Sequence, residues 1–269
     1  MISHAPRAGM LAAAGTVAGV VLSGPLSLLL VNATHPQPPW QDAWLFARHY
    51  HPIQLVPYAG GLVLVASLIL FMVSLHALAH REQKIRTATA QVFTAVFASF
   101  IFFNYVVQTT VVPALIHDLD QTKAAFVGTL SMTNPRSLAW AIEMWGYAFL
   151  GVATWLAAPV FQGGRLSHAT AATLIANGPI SIAGGVLTAL VPGWVQTPAG
   201  LAAFAGWNLL MAVMGGLAFV AFRHRLAKRA DSAGGGGGPA EAASPAVTGP
   251  ESAAVSLGLP VAISAGRGD

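Results

Sequence analysis

The sequence predicts an all-α, polytopic transmembrane helical bundle of six spans with both termini cytoplasmic, and three observations carry that reading. Of 269 residues, 55% are hydrophobic and only 8% are charged, whereas a soluble domain carries about a quarter charged residues. The apolar excess must therefore face lipid. Six stretches reach the roughly 20 apolar residues that a hydrocarbon core about 30 Å thick requires. None shows the period-2 alternation of barrel strands, so helices are expected to satisfy the backbone inside the bilayer.

The expected spans cover about residues 10–31, 53–79, 89–112, 137–160, 169–191 and 199–222. Arg7 and the Val31-Asn32-Ala33 triplet give the first the look of a signal peptide. Its 22 apolar residues nevertheless exceed the 7–15 of a signal core, so it reads as an uncleaved helix. Gly24-Pro25 should kink it, because Pro25 has no N–H to donate to the preceding turn. Residues 32–52 form a long loop with a Pro-rich start, and Trp40 to Tyr50 suit a short interfacial helix. Residues 113–136 form a second long loop with room for another surface helix. Gly15-x-x-x-Gly19 and Ala202-x-x-x-Gly206 offer close helix contacts, within the chain rather than between copies. The six spans make one domain over residues 1–229. From Ala230 the Gly234–Gly238 run leads into Ala/Pro/Ser-rich sequence without helical periodicity, read as a disordered cytoplasmic tail over 230–269.

Orientation follows from the 13 basic residues. Arg7, Arg81, Lys84, Arg86, Arg165, Arg223, Arg225, Lys228, Arg229 and Arg267 fall on one side of the membrane. Only Arg48, Lys123 and Arg136 fall on the other. The positive-inside rule makes the first side cytoplasmic. The net charge of +4 is therefore a topology signal, and nucleic acid is excluded as a partner. With no cysteine, thiol catalysis and disulfide scaffolds are excluded as well. No nucleophile elbow, zinc-protease helix motif or phosphate-binding Gly-Lys loop occurs, and no cofactor is indicated.

The polar groups at membrane depth carry the functional expectation. Glu143 is the one formal charge deep in a span, and hydrocarbon makes it cost about 2.5 kcal/mol or more unless it is protonated, paired or hydrated. Asn104 and Gln108 share one face of the third span, and Asn208 lies in the sixth. Counted from the span ends, Gln108, Glu143, Asn104 and Asn208 lie about 6, 9, 12 and 13 Å deep. Trp140, Trp145 and Tyr147 flank the acid, with Tyr147 one turn along its face. Glu143, Asn104, Gln108, Asn208, Tyr147 and Trp140 thus form a candidate ligand-binding set in an outward-opening, aromatic-walled pocket. A static interhelical hydrogen-bond cluster, worth about 1–2 kcal/mol per bond, is the alternative. His76 and His80, four apart in His-Ala-Leu-Ala-His, are the candidate metal ligands, but a zinc site would need a third ligand.

At HPQPPW (35–40), FNYVVQTTVVPAL (103–115) and NPRSLAWAIEMWGYAFLG (134–151) the chain resembles an uncharacterised group of bacterial six-span membrane proteins. The resemblance covers about residues 10–225 and implies architecture only. Three functions stay open: small-ligand or proton-coupled binding or transport at the pocket, a membrane-embedded enzyme, or a structural subunit. Lipid bilayer and a small-molecule ligand are the expected partners.

Overall fold

The computed structural model describes residues 4–234. These residues fold entirely into helices and connecting turns, with no strand among them, and six helices are long and apolar enough to cross a membrane. The first span is Ala5–Thr34, built from α1 (Ala5–Ser23) and α2 (Pro25–Thr34), which meet at the expected Gly24-Pro25 break. A short helix α3 (Ala43–His49) follows inside the first long loop. Asp42 caps it, its carboxylate accepting from the Leu45 N–H at 2.8 Å. The second span holds α4 (Val56–Leu78).

The third span is longer than expected. It starts at Arg81, runs through α5 (Lys84–Val106) and a π-helical turn (Val107–Val111), and ends with α6 (Val112–His117). The wider π turn accommodates Pro113 without ending the helix, so apolar periodicity alone stopped the expected span five residues early. Helix α7 (Gln121–Leu130) fills the second long loop, capped by Asp120 on the Lys123 N–H at 2.8 Å. The remaining spans hold α8 (Leu138–Ala157), α9 (Gly164–Leu190) and α10 (Pro198–Gly234). Residues 230–234, expected to begin the tail, continue α10, and the tail from 235 onward lies outside the described residues.

The spans pack as a ring in chain order: α1 on α4, α4 on α5, α5 on α8, α8 on α9, α9 on α10, and α10 back on α1. Lipid is as apolar as the side chains, so close van der Waals contact replaces the hydrophobic effect as the cement between helices. Gly19 supplies it at the α1–α4 seam, where a Cβ would stand 2.6 Å from the Leu64 backbone. Gly19→Leu would force the two helices apart. Gly206, by contrast, meets nothing within 4 Å, and the Ala202-x-x-x-Gly206 stripe is exposed rather than packed inside the chain as expected. Among the described residues α10 has no neighbour at Gly206.

The two ends of the ring differ. At the basic end Phe71, Phe161 and Phe222 fill the centre, with Phe222 edge-on to the other two at 6.0 and 5.8 Å. The Arg225 guanidinium lies 5.4 Å above the Phe161 ring and donates to the Val160 carbonyl at 2.9 Å. That end is solid. At the opposite end, which carries α3, α6 and α7, the ring encloses a cavity.

Candidate functional site

Glu143 comes from the second turn of α8, a helix started by Ser137, whose hydroxyl accepts from the Trp140 N–H. Its side chain is buried between α8 and α5, and two donors from α5 hold it. Asn104 Nδ2 donates to Oε2 at 2.9 Å, and the Tyr105 hydroxyl donates to Oε1 at 2.9 Å. Consecutive residues reach one carboxyl group because it lies over the boundary between their two faces. Gly61 of α4 makes room for this: a methyl group there would run into the Tyr105 ring. Tyr147, one turn beyond Glu143, brings its hydroxyl to 3.4 Å from that of Tyr105 and sets its ring edge-on to Trp207 at 4.7 Å.

A cavity of about 410 Å³ opens beside this group, within the ~300–1,000 Å³ typical of small-molecule sites. Glu143, Tyr58, Tyr105, Tyr147, Trp140 and Trp207 form its inner wall, and Ser181 and Asn208 add further polar atoms. Met144, Ile180, Leu201 and Phe204 make much of the remainder apolar. Among the described residues no Lys, Arg or His lines it.

Of the six residues named from sequence, Glu143, Tyr147, Trp140 and Asn208 line this cavity, while Asn104 and Gln108 stand behind the wall. Asn104 spends its amide on Glu143 and on the Ala139 carbonyl at 3.2 Å. Gln108 lies in the π turn, donates to the Leu130 carbonyl at 2.7 Å and accepts from the Met132 N–H at 3.0 Å. It holds the segment that leads from α7 into α8. Trp140 fastens the same segment, its indole N–H donating to the Met132 carbonyl at 2.5 Å. Asn208 stands apart from the Glu143 group: its amide donates to the Phe204 carbonyl of its own helix at 2.8 Å, and its oxygen faces Gly24.

The two candidate metal ligands do not share a face. α4 ends at Leu78, and Ala79 and His80 are extended, so the i,i+4 relation does not exist. His76 Nδ1 pairs with the Thr87 hydroxyl at 2.8 Å, and His80 caps the turn Arg81–Gln83 instead. Chain reversal into the third span overrides the helical spacing. Among the described residues no three His, Asp or Glu side chains gather closely enough to hold a metal ion.

Sequence reasoning missed Tyr105 and Tyr58 as wall residues, and it missed a second buried polar cluster. In that cluster Asn177 of α9 donates to the Thr154 hydroxyl of α8 at 3.0 Å and accepts from the Trp207 indole of α10 at 3.0 Å. The Ser181 hydroxyl donates to the Asn177 oxygen at 3.0 Å and accepts from the same indole at 3.2 Å. The signal was present: Asn177 is an amide in the middle of an apolar span, two residues before Pro179. Comparison of the chain with protein-family models, with curated proteins and with solved structures finds no match in any of the three.

Proposed function

We propose that this multi-pass membrane protein binds a small ligand in the cavity beside Glu143, as a binding or transport protein. The observation that carries the reading is the cavity's charge balance. Among the described residues its wall bears one carboxyl group, held by an amide and a phenol, and no cationic side chain. A carboxyl group is expensive at this depth, and a purely structural contact is served as well by amides alone. A carboxyl group that exchanges its proton for a ligand charge would couple binding to proton release.

The positive-inside pattern supports cytoplasmic termini and a cavity facing the outer compartment. A bacterial inner-membrane location is part of the same proposal. A reporter fused after Lys228 is then expected to read cytoplasmic, and one inserted in residues 113–136 to read external. The reverse pattern would turn the cavity toward the cytoplasm.

Thermal unfolding of the detergent-solubilised protein, run against small amines, carboxylic acids and polyols, tests the ligand reading. One class is expected to stabilise the wild type and to leave Glu143→Gln unmoved. If a class moves both proteins alike, Glu143 does not contact the ligand; if no class moves the wild type, Glu143 is a clamp between α5 and α8, and the chain is a structural subunit.

A further inference from the structure

Two connecting segments lie over one end of the cavity, and exposed apolar residues lie along one side. The segments supply Met132 and Thr133, before α8, and Trp194–Gln196, from the α9–α10 connection. The Gln196 amide donates to the Thr133 carbonyl at 3.4 Å, and the Trp194 indole donates to the Thr188 hydroxyl at 2.8 Å. Gln108 and Trp140 anchor the same roof from below.

The exposed side follows from the break at Gly24. Below it α1 packs on α10, where a Cβ on Gly215 would meet Val17 at 2.8 Å. Above it α2 packs on α1 and α4, and nearly all of its surface is exposed. Asn208, Phe204 and Leu201 lie on one face of α10 at helical spacing. Asn208 is 7% exposed against Gly24, but Phe204 and Leu201, one and two turns higher, are 41% and 59% exposed. Leu28 of α2 is 47% exposed, and all three apolar side chains also line the cavity. They form an apolar rim within the membrane-spanning part of α2 and α10.

Resting on the ligand reading above, we propose that the occupant is a membrane-dissolved organic ammonium, an amphiphile with a cationic head and an apolar tail, which enters sideways from the bilayer between α2 and α10. The head would sit against the Glu143 carboxylate and the faces of Tyr58, Tyr147 and Trp207, since aromatic faces attract ammonium groups. The tail would leave through the Leu28, Leu201 and Phe204 rim. A zwitterionic phospholipid fits less well, because its phosphate would meet the carboxylate and, among the described residues, no cation in the wall.

The chain has no cysteine of its own, so Leu28→Cys with Leu201→Cys supplies two selective thiols, to be bridged by the shortest bis-maleimide that cross-links them. The protein is placed in phosphatidylcholine nanodiscs, and binding of n-dodecylammonium and n-propylammonium is followed by tryptophan fluorescence. Saturable binding of the dodecyl amine is expected, at least 100-fold tighter than that of the propyl amine. Affinity should fall at least tenfold in Glu143→Gln, and the bridge should slow association at least tenfold relative to the unbridged double variant. Equal binding of both amines, indifferent to the bridge, would overturn lateral access while leaving Glu143 as a ligand site. Dodecylammonium binding that ignores Glu143→Gln, or no binding of either amine, would overturn the ammonium assignment; the ligand reading would still be judged by the acids and polyols.

Discussion

Two buried polar clusters sit on the same face of α8, and only the one at Glu143 brings its α8 residue to the cavity wall. Around Thr154 every partner is neutral, three helices contribute, and Asn177 links the Thr154 hydroxyl to Ser181 and Trp207, both of which also reach the cavity wall. Around Glu143 the acid is held from one helix, α5, and its other side opens into the cavity. The first arrangement is what a bundle needs to hold helices together in lipid, where packing and interhelical hydrogen bonds replace the hydrophobic effect. The second holds a group that is more costly to bury and leaves part of its surroundings empty. Trp207 and Ser181 belong to both: they bond to Asn177 and also line the cavity, whereas Thr154 and Asn177 do not.

The largest expected effect is on the Asn177 cluster. Asn177→Ala leaves the Trp207 indole and the Thr154 and Ser181 hydroxyls short of partners, and an unsatisfied buried group costs about 1–3 kcal/mol. Thermal unfolding in detergent should show that loss; an unchanged midpoint would mean that the cluster does not hold α8, α9 and α10 together. Tyr105→Phe removes one of two side-chain donors to Glu143 and should cost about 1 kcal/mol. Gly61→Ala, which displaces the same ring, should act in the same direction.

Glu143→Gln should cost less. Its amide oxygen can still accept from Asn104 and its NH₂ can donate to the Tyr105 oxygen, so the change in stability should stay below about 1 kcal/mol. A larger loss without any effect on ligand binding would make the two clusters alike. The smallest effect is expected at the surface pair of Asp118 and Lys123, 2.5 Å apart. The Lys123 ammonium holds the Asp118 carboxyl below the usual carboxylate range, so any stabilisation is present at neutral pH and is lost as the pH falls through that lowered value. Both groups are solvent-accessible, so Lys123→Gln should leave unfolding unchanged at pH 7.

What was legible in the sequence had a physical cause visible in one dimension. Apolar length marked six spans, Pro25 marked the kink, and the cost of a carboxylate in lipid marked Glu143. The neighbours of Glu143 could be named where depth alone selects them, as with Asn104. Tyr105 escaped because a tyrosine in an apolar run reads equally as packing. Asn177 escaped because an amide is less conspicuous than an acid, although lipid penalises both. His76 and His80 misled because their spacing signifies a shared face only while the helix lasts, and α4 stops at Leu78. Gln108 and Asn208 were placed at the right level, but level does not say which way a side chain turns. The exposed side depends on the direction in which α2 leaves the ring, which no local pattern encodes.

Cysteine reactivity tests the central contrast most directly. Tyr147 lines the cavity, and Thr154, seven residues further along the same helix face, is 0% exposed. Tyr147→Cys and Thr154→Cys are each exposed to N-ethylmaleimide in the folded, detergent-solubilised protein. The account expects rapid labelling at position 147 and none at 154 until the protein unfolds. Equal protection of both thiols, or equal reaction, would contradict the claim that the Glu143 group opens into the cavity while the Thr154 end of the other cluster is sealed.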